Sequence, residues 1–95
     1  TAQKVSEQLS HISKEHQVIC ITHLAQIAAM ADAHYRIVKE TDGKTTQTTI
    51  RELSYDGSIE ELSRILGGAE ITDRVRESAK EMKELATDSK KQSAL

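Results

Sequence analysis

Several residue types that help small proteins to fold are missing or scarce in this sequence. It has no phenylalanine, tryptophan or proline, two tyrosines and a single cysteine among 95 residues. Without large aromatic rings, we expect an aliphatic core built from Ile, Leu, Val, Met and Ala. A lone cysteine cannot form an internal disulfide, and Cys20 lies within an apolar run. We therefore expect Cys20 to be a buried, chemically inert side chain.

Strong charge of one sign and long apolar runs are also absent. The formal net charge is −2, so charge gives no electrostatic argument for nucleic-acid binding by this chain alone. No apolar run approaches the roughly 20 residues of a membrane-spanning helix. The N-terminus lacks the basic-then-apolar pattern of a secretory signal. We therefore expect a cytoplasmic protein without a membrane partner.

The sequence motifs that hydrolyse nucleoside triphosphates are missing as well. No Gly-x-x-x-x-Gly-Lys-Ser/Thr pattern is present, and the four glycines are predicted to lie at turns or helix ends. No apolar strand ends in an Asp-Glu pair that would hold magnesium and polarise water. We therefore expect this chain alone to be inactive as an ATPase.

The four histidines do not have the spacing of a zinc site, and no second cysteine is present to help. Asp32 and His34 are separated by one residue, but they follow the predicted end of a helix, where polar residues are ordinary. We predict no metal site, and we expect His34 to be structural. His11 and His16 are interpreted as surface residues.

The stretch from residue 18 to residue 28 contains the strongest functional signal. Its apolar run at 18–21 predicts a buried strand of a parallel sheet, followed by a helix that Thr22 would cap. Such a strand-to-helix junction is where α/β proteins bind anions and nucleotides. His23 lies at this junction, where a neutral imidazole would donate an N–H to a terminal phosphate. The alternative is that His23 only caps the helix or satisfies a buried carbonyl.

The rest of the sequence predicts an α/β fold with a short sheet. A helix over residues 1–14, with Val5, Leu9 and Ile12 on its buried face, leads into the strand at 18–21. Asp42-Gly43 is typical of a hairpin turn between strands at 35–40 and 45–53. A helix and then a strand form the second half of a βαβ unit. Since no initial methionine or first strand is present, we expect a piece of a larger domain.

Two further helices are predicted in the second half of the chain. The sequence Ser-Ile-Glu-Glu at residues 58–61 matches a capping box that opens a helix, and Gly67-Gly68 would end it. The last helix would follow Thr72 and carry an apolar stripe that ends at Ala86. Residues 1–86 are predicted to form the domain, and residues 87–95 a polar, frayed tail.

Beyond these patterns, the segment VICITHLAQIAAMAD at residues 18–32 resembles the switch-histidine segment of ABC-type ATPase heads of the SMC-like class. It is similar in particular to the RecN family of bacterial DNA double-strand-break repair proteins. The similarity continues through HYRIVK at residues 34–39, IREL at 50–53 and IEELSRILGG at 59–68, and it covers about residues 1–82. The specific part is Thr-His-Leu-x-Gln-x-Ala together with the later Glu-Glu-Leu-x-Arg-x-Leu-Gly-Gly.

This resemblance implies that the chain is a fragment of the C-terminal lobe of a P-loop NTPase. By the same resemblance, His23 corresponds to the switch histidine, which contacts the γ-phosphate of ATP, so it is the predicted catalytic and cofactor-binding residue. ATP and Mg²⁺ would be bound by the full-length ATPase, whose P-loop, signature motif and Walker B carboxylates lie elsewhere. The implied partners are the remainder of the same head, a second head in a homodimer, and DNA, with a nucleoid-associated location.

Two alternatives stay open. One is a small regulatory or protein-interaction module without nucleotide chemistry, in which His23 is structural. The other is the equivalent lobe of a different SMC or ABC-type ATPase, with the same chemistry and another partner. Sequence upstream of Thr1 would discriminate between them, because an apolar strand followed by Asp-Glu and a Gly-rich turn is expected only for an ATPase.

Overall fold

The computed structural model describes residues 1–93, which contain both helices and strands. The elements are α1 (Ala2–Ile12), α2 (Ala25–Ala29), β1 (Tyr35–Thr41), β2 (Thr46–Glu52), α3 (Tyr55–Gly67) and α4 (Asp73–Ser93). Helix α2 contacts the other three helices, and α3 packs along α4. Helices with a short sheet agree with the predicted class, but the sheet found within residues 1–93 is an antiparallel pair rather than a parallel sheet.

The predicted strand at residues 18–21 is not formed. These residues have no regular secondary structure, and Ile19 and Ile21 are 85% and 87% exposed. A strand exists only when another strand accepts and donates its backbone hydrogen bonds, and β1 and β2 pair with each other. Cys20 is exposed for the same reason, so the expectation of a buried thiol was wrong.

The predicted hairpin is confirmed. Strands β1 and β2 pair antiparallel in a register that runs from Tyr35 opposite Glu52 to Thr41 opposite Thr46. In the turn, Oδ1 of Asp42 accepts hydrogen bonds from the backbone N–H groups of Lys44 (2.9 Å) and Thr45 (2.8 Å). Gly43 has a φ of 89°, which is the left-handed conformation that glycine tolerates without strain. Asp42-Gly43 therefore forms the hairpin turn that the sequence predicted.

The N-cap of helix α3 lies four residues before the predicted cap, Ser58. Ser54 is its N-cap, and the Ser54 hydroxyl accepts a hydrogen bond from the backbone N–H of Gly57 at 3.1 Å. Ser58, the predicted cap, is instead buried inside the helix and donates from Oγ to the carbonyl of Ser54 at 2.9 Å. The predicted end is confirmed, because Gly68 has a φ of 69° and its N–H donates to the carbonyl of Arg64 at 2.9 Å.

Helix α4 begins as predicted but continues further. The Thr72 hydroxyl accepts from the backbone N–H of Val75 at 3.2 Å, which caps the first turn. The helix runs to Ser93, so residues 87–93 are helical rather than a frayed tail. The reason is tertiary: Ala86 is buried, and the side chain of Lys90 bonds to groups outside the helix. Residues 94 and 95 of the predicted tail lie outside the described residues.

The core is aliphatic, as expected, but it is thin. Within residues 1–93, its one large and fully buried side chain is Leu62, which is 1% exposed. Two of the three residues predicted for the buried face of α1 are exposed, since Val5 and Ile12 are 48% and 47% exposed, whereas Leu9 is half-buried and Ser6 is buried. The neighbour of α1 is the five-residue α2, which is too short to cover the whole of a three-turn helix. The buried apolar residues are Ala29, Ile59, Leu62, Ala79 and Ala86.

Candidate functional site

His23 lies on the surface, two residues before helix α2. The Thr22 hydroxyl accepts a hydrogen bond from the backbone N–H of Leu24 at 3.0 Å, and this short turn leads into the helix. Thr22 is therefore not the N-cap that was predicted, because Leu24 occupies that position without a side-chain cap. The imidazole of His23 is exposed and has no hydrogen-bond partner within residues 1–93. Both ring nitrogens are therefore available to an external group.

No hydrogen bond or ion pair joins the His23 imidazole to another side chain of the described residues. The part of the chain that the structure describes contains no group of three or more His, Cys, Asp or Glu side chains that would hold a metal ion. A surface hollow of about 360 Å³ between α1, α2 and α4 is lined by Gln26 and Met30 among others but not by His23. Neither a metal-ligand group nor this hollow adds a further side chain to His23 within residues 1–93.

His34 lies in a cluster of polar side chains that joins the start of β1 to helix α4. Its Nε2 atom is 2.9 Å from Nζ of Lys83. Burial lowers the pKa of His34 to about 4, and the positive charges of Lys83 and Lys90 act in the same direction. Burial also lowers the pKa of Lys83, and the charge of Lys90 adds to that effect. A neutral His34 therefore serves as a hydrogen-bond acceptor for Lys83, which agrees with the expected structural role.

Lys90 completes this cluster from the next turns of α4. Its Nζ atom donates to the carbonyl of Met30 at 3.0 Å and to Oδ1 of Asp32 at 2.8 Å. The Met30 carbonyl lies at the C-terminal end of α2, where a cation is favoured by the helix dipole. Reasoning from the sequence missed Lys90 because the residue was assigned to the tail. Its spacing of seven from Lys83 was the available signal, since residues seven apart lie on one helical face.

The free energy of unfolding is expected to decrease when the pH is lowered, because the folded chain holds His34 neutral. Its pKa is about 4 in the folded chain and 6.5 as the ordinary value, so the unfolded chain binds more protons between these limits. The contribution of neutral His34 to the free energy of unfolding is fully present above pH 6.5 and is lost as the pH falls towards 4. Thermal unfolding at pH 7 and pH 5 should therefore show a larger decrease in Tm for the parent sequence than for His34→Gln.

The control for this measurement is His16→Gln, because His16 is exposed and lies outside the cluster. That variant should keep the full pH dependence of the parent. An equal decrease in Tm for the parent chain and His34→Gln would contradict the assignment of the effect to His34.

Comparisons with known proteins identify the class to which these residues belong. The chain aligns with segments of curated bacterial DNA repair proteins over most of its own length. The proteins are RecN of Halalkalibacterium halodurans, 44% identical over 89 residues, RecN of Bacillus subtilis, 45% over 82, and RecN of Streptomyces coelicolor, 34% over 85. The chain is therefore a RecN-like segment, as its resemblance indicated.

The alignments cover most of this chain but only a small part of each RecN protein. They cover 94%, 85% and 90% of this chain, but 16%, 14% and 15% of the three RecN proteins. No family model matches the chain. Within residues 1–93, no helix is long and apolar enough to cross a membrane.

Proposed function

We propose that this chain is the C-terminal part of the ATPase head of a RecN-like DNA repair protein, in which His23 contacts the γ-phosphate of ATP. The observation that carries the proposal is the similarity to RecN proteins, which spans His23 and most of the chain. The exposure of the His23 imidazole is consistent with this role. A ring without an internal hydrogen bond retains an N–H for a phosphate oxygen.

Exposed apolar side chains in the first quarter of the chain support a covering segment from the same head. Five large apolar residues between positions 5 and 24 are 42% to 87% exposed. Monomeric proteins rarely leave a large apolar surface uncovered, so such a surface indicates a partner. Residues 18–21 would gain backbone hydrogen bonds by joining a sheet of that partner, and the sequence favours this state. The five residues are Val5, Ile12, Ile19, Ile21 and Leu24.

ATP bound with Mg²⁺ supplies the phosphoanhydride bond that water cleaves in such heads. Positioning and charge stabilisation provide most of the rate in phosphoryl transfer. The contribution of this chain is one N–H of His23, which would donate to a γ-phosphate oxygen and stabilise the charge that develops there. The magnesium ligands would come from the segments of the full-length head that carry the P-loop and the Walker B carboxylates, since this sequence contains neither motif.

The same proposal includes the assembly in which the site acts. ATP would join two heads of a homodimer, hydrolysis would release them, and the change would control engagement with DNA. A cytoplasmic, nucleoid-associated location follows from a role on bacterial DNA. The relatives are DNA repair proteins, which supports DNA as the partner of the full-length protein.

ATP turnover by the full-length protein and by the isolated chain tests this proposal. Full-length protein with Mg²⁺ should hydrolyse ATP, whereas the 95-residue chain should release phosphate no faster than buffer. The physical reason is that one imidazole cannot bind and orient a nucleotide, its metal and the attacking water. Phosphate release measured with a coupled assay gives both rates. Hydrolysis by the isolated chain, or none by the full-length protein, would contradict the proposal.

A further inference from the structure

One face of the β1–β2 hairpin carries two arginines that lie directly opposite each other. Arg36 on β1 and Arg51 on β2 are cross-strand partners. Such partners have Cβ atoms about 4.5–5.5 Å apart and side chains on the same face of the sheet. Like charges in this arrangement destabilise the pairing. An anion held between the two guanidinium groups would remove that repulsion.

No carboxylate of the described chain fills this role. Within residues 1–93, neither Arg36 nor Arg51 forms an ion pair or a side-chain hydrogen bond. Glu61 is near enough for Arg36 to help lower its pKa, but the larger cause is the hydrogen bond from Arg64. The Glu61 carboxylate accepts from Nε and Nη2 of Arg64 at 3.0 and 2.5 Å.

The two arginines line a shallow hollow with further polar character. The hollow has a volume of about 240 Å³, and the Thr49 hydroxyl provides another hydrogen-bond donor at its wall. Glu40 also lines it, but lies four residues from Arg36 along β1, which is about 13 Å in a strand. The arginine end of the hollow is therefore positive. The complete lining is Arg36, Val38, Glu40, Thr49, Arg51 and Leu53.

We propose that Arg36 and Arg51 together bind a phosphate group of the DNA backbone. Guanidinium groups match phosphate oxygens with paired, parallel hydrogen bonds, and two of them on one face would converge on a single phosphate. Every residue of both strands is exposed except the half-buried Val38. The hairpin is thus an open two-stranded ribbon, a shape that fits the DNA major groove.

The choice of DNA as the source of the phosphate rests on the proposed function. A free nucleoside triphosphate offers the same chemistry, so the experiment includes both ligands. It uses the full-length protein in three forms: wild type, R36Q/R51Q, and the control K39Q/K44Q. The control removes the same charge from the same hairpin, but Lys39 lies on the opposite face and Lys44 in the turn.

Fluorescence anisotropy with a labelled 30-base-pair duplex, repeated at several salt concentrations, gives the affinity and its salt dependence. R36Q/R51Q should weaken binding roughly tenfold for any DNA sequence, because charge-assisted hydrogen bonds to one phosphate are lost. The slope of log affinity against log salt should decrease by about one, as expected for one phosphate contact. K39Q/K44Q should change both quantities much less.

Other outcomes would overturn the inference. Equal loss of affinity in R36Q/R51Q and K39Q/K44Q would indicate general charge rather than a site. Weaker ATP binding with unchanged DNA binding would assign the arginines to a nucleotide. ATP turnover is measured on the same samples. If R36Q/R51Q keeps both normal turnover and unaltered DNA affinity, the arginine site is rejected while the proposed ATPase function stands. If the wild type shows no turnover, the proposed ATPase function itself is rejected.

Discussion

Replacing His23 by alanine in the full-length protein is expected to lower kcat for ATP hydrolysis roughly hundredfold, the usual cost of losing one donor to a developing oxyanion. The KM for ATP should change much less, because the imidazole would contact the γ-phosphate most strongly when its charge increases in the transition state. Steady-state phosphate release with Mg²⁺ measures both constants. Because His23 is exposed, its replacement should leave the fold intact.

Two further variants make this measurement specific. His16→Ala removes another exposed imidazole from the segment before α2 and should leave kcat unchanged. His23→Gln keeps an N–H donor at the end of a side chain and should retain part of the activity. An unchanged kcat in His23→Ala, or the same decrease in His16→Ala, would contradict the assignment of His23 to the phosphate.

Replacing Leu62 by alanine is expected to lower the free energy of unfolding by about 3 kcal/mol. Leu62 is 1% exposed, and among residues 1–93 the other side chains buried to this degree are small ones, namely Ala79, Ser6 and Ser63. Its removal would leave a cavity between α3 and α4, where the remaining core side chains are mostly alanines. Because the free energy of unfolding of a small domain is low, thermal unfolding followed by circular dichroism should show a large decrease in Tm.

Leu85→Ala is the matched control, because it deletes the same atoms from a side chain that is 60% exposed. It should destabilise the chain by less than about 1 kcal/mol, since little apolar surface returns to water. Similar decreases in Tm for the two variants would show that the buried cluster around Leu62 does not dominate the stability of the isolated chain.

Local patterns were sufficient wherever neighbouring residues alone determine the conformation. The Asp42-Gly43 turn was predictable because the carboxylate satisfies two backbone N–H groups nearby and glycine accepts a positive φ. Gly68 ended α3 for the same kind of reason. The start of α3 was misplaced by four residues because two serines, Ser54 and Ser58, both have the chemistry of a cap.

The candidate site was predictable only in part. His23 was identified from its position after an apolar run and from the resemblance to RecN, and the structure places it on the surface. Its role at a phosphate stays a prediction, because the P-loop and Walker B motifs that would complete such a site do not occur in this sequence. The pair formed by Arg36 and Arg51 went unnoticed, although the hairpin register that follows from the Asp-Gly turn brings them together.

The sequence by itself determined the hairpin, the helix ends at glycine, the aliphatic nature of the core and the similarity to RecN. Only the tertiary structure decided that residues 18–21 remain unpaired, that α1 turns Val5 and Ile12 outward, and that α4 continues past Ala86. The physical reason is the range of the interactions involved. Turns and caps are satisfied within about four residues, whereas a strand or an apolar helix face depends on a partner distant in the chain.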